Sequence, residues 1–155
     1  MTIFLSNWRR LSELWDLSEM VNVISEFLLY LTLIKSVDLK LLEKIMSIDD
    51  LKNKSKKCLL LLRHINKELE NWHELKLVEH PLVTLIIDAM GNISYEKIRD
   101  ALVRAMTTLN DLNKIQSIDE VKRIKSIDFV MNFLRKLMDA LMDRTTSLAR
   151  ELNVL

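Results

Sequence analysis

Residues 48–72 read IDDLKNKSKKCLLLLRHINKELENW. Within them Ile48, Leu51, Ser55, Cys58, Leu62, Ile65, Leu69 and Trp72 recur every three or four residues, which is the spacing of one face of a helix. Held through the whole stretch, the pattern is heptad-like. It predicts either a long bundle helix whose seam is covered by two other long helices, or a homodimeric coiled coil. Both readings make the protein helical.

Composition extends the helical assignment to the rest of the chain. The 155 residues contain one Gly and one Pro, whereas a β-rich chain relies on both for its many tight turns. Eight methionines suit helices and irregular cores. With 49% hydrophobic and 29% charged residues, the chain has a globular and not a disordered composition. A chain this long can bury roughly 68–70% of its extended surface in one domain.

Connections then fall to Ser, Asp and Asn. The tripeptide Ser-Ile-Asp occurs at 47–49, 117–119 and 126–128. Ser47 and Ser117 are each followed three residues later by an acid, as in a capping box. Asp49 and Asp119 would favour the positive end of the helix dipole. Ser126 has Phe129 at the reciprocal position, so it marks a weaker start or a kink. Ser36-Val-Asp and Ser94-Tyr-Glu look like further starts. The repeat is expected to be capping chemistry, not catalytic, because no positioned base accompanies it.

These marks divide the chain into helices at about 7–16, 18–35, 37–46, 48–77, 82–90, 94–113 and 117–152, the last with an alternative break near Ser126. The expected fold is an all-α, single-domain bundle over 1–155, with six to seven helices, one long central helix and one long C-terminal helix. In the last segment Val130, Leu134, Leu137, Met138, Leu141, Leu148 and Leu152 share one face. Asp128, Asn132, Arg135, Asp139, Asp143 and Arg150 share the other, with Arg135 and Asp139 at pairing distance.

No enzyme signature emerges. His64, His73 and His80 form no helical pair at three or four residues' spacing, and with Cys58 they make no zinc pattern. No glycine-rich loop can cradle a phosphate. A non-catalytic protein without cofactor or metal is expected. Cys58 cannot form an internal disulfide, which suits a reducing interior. MTIFLSNWRR reverses the order of a secretory signal. The apolar run FLLYLTLI (27–34) lies between Glu26 and Lys35 and is too short to span a bilayer. A soluble, cytoplasmic protein with no membrane partner is expected.

Charge segregation offers one functional lead. Residues 52–67, KNKSKKCLLLLRHINK, carry Lys52, Lys54, Lys56, Lys57, Arg63 and Lys67 and no acid. At helical spacing Lys52, Lys56, Arg63 and Lys67 fall within an arc of about 60°. Their stripe is about 22 Å long, enough to meet successive phosphates of a nucleic-acid backbone. Lys122, Arg123 and Lys125 form a second cluster, and Arg9-Arg10 follows Trp8. Aromatics are scarce, so backbone tracking without sequence readout fits better than base stacking.

Two stretches, GNISYEKIRDALVRAMTTLND (91–111) and FVMNFLRKLMDALMDRTTSLARELN (129–153), add a resemblance. In pattern they are similar to the helical C-terminal part of the type I-D CRISPR large subunit, which in some systems is also made separately as a small subunit. The resemblance covers roughly the last 65 residues. It implies a non-catalytic subunit of a ribonucleoprotein assembly that holds a crRNA–target duplex or displaced strand and contacts neighbouring subunits. It carries over no individual functional residue. The rival expectation is a helical protein–protein module, an adaptor or viral structural protein. A third is a duplex-DNA regulator using 94–113 as its recognition helix.

Overall fold

The computed structural model describes residues 2–75 and 81–153, and the side chains of 9–75 and 82–153. Among them are six α-helices: α1 (Thr2–Ser36), α2 (Leu39–Ile45), α3 (Ile48–Leu75), α4 (Pro81–Ala89), α5 (Tyr95–Leu112) and α6 (Ile127–Glu151). A 3-10 helix, Ile118–Arg123, precedes α6. The all-α bundle is as expected, and the described residues contain no strand.

Ion pairs and ring contacts fix how the long helices run. Lys54 of α3 meets Glu26 of α1, while a groove brings residues 12–20 beside His64 and Glu68; α1 and α3 are therefore antiparallel. His73 stacks on Tyr95 at 3.8 Å and Ser55 bonds to Leu109, so α3 and α5 are antiparallel too. Arg10–Glu151, Glu13–Arg144 and Lys35–Asp128 set α6 antiparallel to α1. Since α5 also packs on α6, the four long helices form a closed up-down-up-down ring. Helix α4 packs on α6 and α3 near one end; α2 and the 3-10 helix pack together near the other.

The core fills the middle of that ring. Leu51, Ser55, Cys58, Leu62, Ile65 and Leu69 of the α3 seam are buried, and Ile48 and Trp72 pack partly against the core. Helices α1 and α5 cover the seam from within the chain, which leaves the α3 coiled-coil alternative no free surface. Ser55 is fully buried among leucines, and its hydroxyl donates to the Leu109 carbonyl of α5 at 3.2 Å. That bond satisfies a polar group whose burial would otherwise be costly.

Several boundaries differ from expectation. The expected helices 7–16 and 18–35 are one, because Ser18 does not cap; its hydroxyl donates back to the Leu14 carbonyl at 2.8 Å. Ser36 likewise donates to Thr32 within α1, and α2 starts after Asp38. Ser47 and Ser94 do cap, accepting from the Asp50 and Lys97 amides at 3.0 and 3.3 Å. Ser117 and Ser126 make no side-chain cap bond; Glu120 accepts instead from the Gln116 amide at 2.9 Å. The last segment breaks at Ser126, and its first part is 3-10 because its apolar residues repeat every third position. Ile115, Ile118, Val121 and Ile127 are buried and Ile124 packs against the core; a three-residue turn puts all five on one side. After α4, Gly91 (φ 78°) and Asn92 (φ 57°) adopt the left-handed conformation, and Asn92 N–H bonds to Ile87 C=O at 3.0 Å, a Schellman stop.

The full length of α1 adds to the reading of the apolar run 27–34. Arg9–Ser36 of α1 is long and apolar enough to cross a membrane by length and composition, an 18-residue stretch within it reaching a mean hydropathy of 1.5. The run 27–34 alone does not show this, because it stops at Glu26; the apolar pattern resumes beyond it with Met20, Val21, Val23 and Ile24, so that 17–34 holds only two charges, Glu19 and Glu26. In this fold α1 instead contributes Ile24, Phe27, Leu31 and Ile34 to the bundle core.

Candidate nucleic-acid interface

The capped start at Ser47 and the buried seam fix the rotation of α3, and rotation decides which charges face out. Lys56, Arg63 and Lys67 are exposed or half-exposed and Lys52 is half-buried. None of the four has an ion pair among the described residues. The fold does, however, bring an acid into the basic stretch. Lys54 turns toward α1, where its hydrogen bond lowers the Glu26 carboxyl below its usual range, and Lys57 adds a weaker pull. The hydrogen bond in turn raises Lys54. Lys54 is thereby withdrawn, and the stripe is the set that projects away from Glu26. It ends where Glu70 meets Arg99 of α5 at 4.0 Å. In its middle sits Leu60, 63% exposed.

Lys122, Arg123 and Lys125 are exposed on the 3-10 helix and its exit. Arg123 pairs with Asp119 at 3.3 Å, one helical turn back, so the free charges of this cluster are Lys122 and Lys125. The 3-10 helix packs on α1 and α2, at the end of the bundle where α3 begins. The two clusters thus share the Lys52 end. Arg9 and Arg10 lie toward the opposite end, Arg10 paired with Glu151 at 3.8 Å; the Trp8 side chain is outside the described residues.

The remaining candidates separate. His73 is engaged in its stack with Tyr95, and His80 lies outside the described residues. His64 lines a groove of about 490 Å³ with Arg9, Asp16, Glu68 and Leu82. No group of His, Cys, Asp and Glu suited to a metal occurs among the described residues. Burial pushes the Cys58 thiol up to about 12, so it is a core residue and not a nucleophile. The outer face of α5 mixes Glu96, Lys97, Asp100, Arg104 and Asp111, a poor match to a phosphate-lined groove.

Two features have no counterpart in the sequence pattern. Arg104 lies over the Phe129 ring, 4.1 Å from its centroid, a contact between α5 and α6 that no periodicity reveals. Arg135 and Asp139 do not pair; Arg135 faces a groove with Lys35, Ser36 and Asp128, while Asp139 and Asp143 join Asp88 of α4 in another of about 500 Å³. Fold and surface together define a helical bundle with a one-sided basic face. No family model, curated protein or solved structure matches the chain.

Proposed function

We propose that the protein is a non-catalytic, nucleic-acid-backbone-binding subunit of a larger ribonucleoprotein assembly, a CRISPR effector small subunit. The observation that carries this reading is the uncompensated stripe of Lys52, Lys56, Arg63 and Lys67 along one rigid helix. Arg10, Lys35, Arg99, Lys114, Arg123 and Arg144 pair with acids. Other cations are unpaired too among the described residues, and the stripe is set apart from them by running along one helix face with no acid in the span 52–67. Four successive cations left free are suited to phosphates, each releasing condensed counterions on contact. A crRNA–target duplex or a displaced strand is the proposed ligand, and neighbouring subunits are the protein partners.

Replacing Lys56 and Lys67 with Ala tests it. Binding to unrelated nucleic-acid sequences should weaken by a similar factor for each. The log–log salt slope should flatten by about two units, slightly less for single strands. Stability should barely change, because exposed charges contribute little. Wild-type affinity and slope in the double variant would refute the interface. Leu60, exposed amid the cations, favours a second reading in which an acidic protein helix docks here; Leu60→Ala would then weaken protein binding and leave nucleic-acid binding unchanged.

A further inference from the structure

The basic stripe does not stand on α3 alone; it forms one wall of a valley whose other wall is α5. Ser55 with Leu109, Glu70 with Arg99 and His73 with Tyr95 hold the two helices side by side. At about 100° per residue, Glu70 lies in line with Lys52, so the stripe is on the flank of α3 that turns toward α5. On α5, Arg99, Val103, Met106 and Asn110 step by four, three and four residues along the matching flank, and none is an acid. The acids of α5 lie elsewhere. Asp100 and Asp111 fall on the side of Arg104, which meets Phe129 of α6. Glu96 joins Glu70 and Glu74 around Tyr95, at the end of the valley where the stripe stops.

The middle of the valley is apolar. Leu60 is 63% and Val103 44% exposed. Antiparallel pairing in the register of Ser55 with Leu109 brings the two within a helical turn of level, and Met106 lies half-buried one turn from Val103. Lys56 and Arg63 bracket Leu60, about 10 Å apart along the helix. Toward the Lys52 end, Asn53 and Asn110 are both exposed and come level in the same register. Cations, an aliphatic saddle and amides that both donate and accept thus lie along one valley.

We infer, resting on the backbone-binding reading above, that the valley selects single-stranded nucleic acid. Phosphates lie along Lys52, Lys56, Arg63 and Lys67, and an unpaired base lies flat on Leu60 and Val103. A duplex turns its phosphates outward and stacks its bases inside, so it would leave the saddle facing sugars and charge. An unpaired base has a broad apolar face to bury. Single-strand grooves commonly set aromatic platforms beside their cations; in this chain, poor in aromatics, aliphatic side chains supply the surface. The asparagines favour this occupant over an acidic protein helix, because base edges donate and accept whereas carboxylates only accept.

Titrating the full chain into a mixed-sequence single strand, its duplex and an abasic strand of equal length tests the inference. The single strand should bind at least about tenfold more tightly than either of the others. Leu60→Ser and Val103→Ser should each weaken single-strand binding about fivefold. Duplex and abasic binding should not change, nor should the log–log salt slope, because no phosphate contact is lost. Far-UV circular dichroism should be unaltered, since both side chains are exposed. A duplex or abasic strand bound as tightly as the single strand, or full single-strand affinity in both Ser variants, would overturn the inference. Loss of binding in the Lys56→Ala, Lys67→Ala double variant would in that case leave the stripe itself standing. Ser variants that lose an acidic helical peptide and keep the strand would also overturn it, in favour of the docked helix.

Discussion

Cys58 shows how a single buried group couples the fold to pH. Its thiol is pushed up to about 12 by desolvation, whereas an exposed thiol titrates near 8.5. Above that lower value the unfolded chain releases a proton that the native chain keeps, so unfolding is favoured as pH rises. The group's stabilisation is complete below about pH 8.5 and declines by about 1.4 kcal/mol per pH unit toward the folded value. Urea unfolding between about pH 8.5 and 10.5 should therefore fall less steeply for Cys58→Ala than for the wild type; equal slopes would show that the thiol is not desolvated. A few residues away, Leu62 is fully buried. Leu62→Ala should cost about 2–5 kcal/mol in the same assay, and a loss below about 1 kcal/mol would mean that the seam is not core.

At the scale of elements, identical tripeptides behave differently because their neighbours differ. Ser47 accepts a bond from the Asp50 amide, whereas Ser117 makes no cap bond. Ser47→Ala should cost about 1 kcal/mol and Ser117→Ala close to nothing, measured by chemical denaturation; equal costs would contradict the cap assignment. The long seam of α3 is legible in the sequence because its eight positions never leave register. Ser18 looks like a boundary because a serine hydroxyl serves a cap or a back-bond equally well, and only the surrounding packing decides between them. The 3-10 helix has a visible signal, the isoleucine and valine run 115, 118, 121, 124 and 127. Its three-residue period is masked by the more conspicuous Ser-Ile-Asp copies. For the interface, the sequence supplies the cations and helical spacing supplies their common side. It does not reveal that Glu26, twenty-eight positions before Lys54, removes one of them.

For the molecule as a whole, one buried cluster joins residues from Leu17 to Leu148, and no covalent cross-link contributes to it. Thermal unfolding should be the same with and without reductant, and the far-UV spectrum should be mostly helical. A reductant-dependent midpoint would reveal an intermolecular Cys58 bridge, which the burial of that thiol argues against.

The closed ring also has a consequence on the ribosome. Helix α1 emerges before α6, its most extensive partner, and Glu13 must wait for Arg144, 131 residues later. At translation speeds of about 5–20 residues per second, that interval is on the order of ten seconds. Throughout it Phe27, Leu31 and Ile34 lack their final cover, and this apolar helix is a natural client for a holdase chaperone. Nascent chains stalled just before residue 127 should be captured by such a chaperone, and chains released after α6 has cleared the exit tunnel should not. Absence of capture from the stalled chains would mean that α3 alone shields α1 during synthesis.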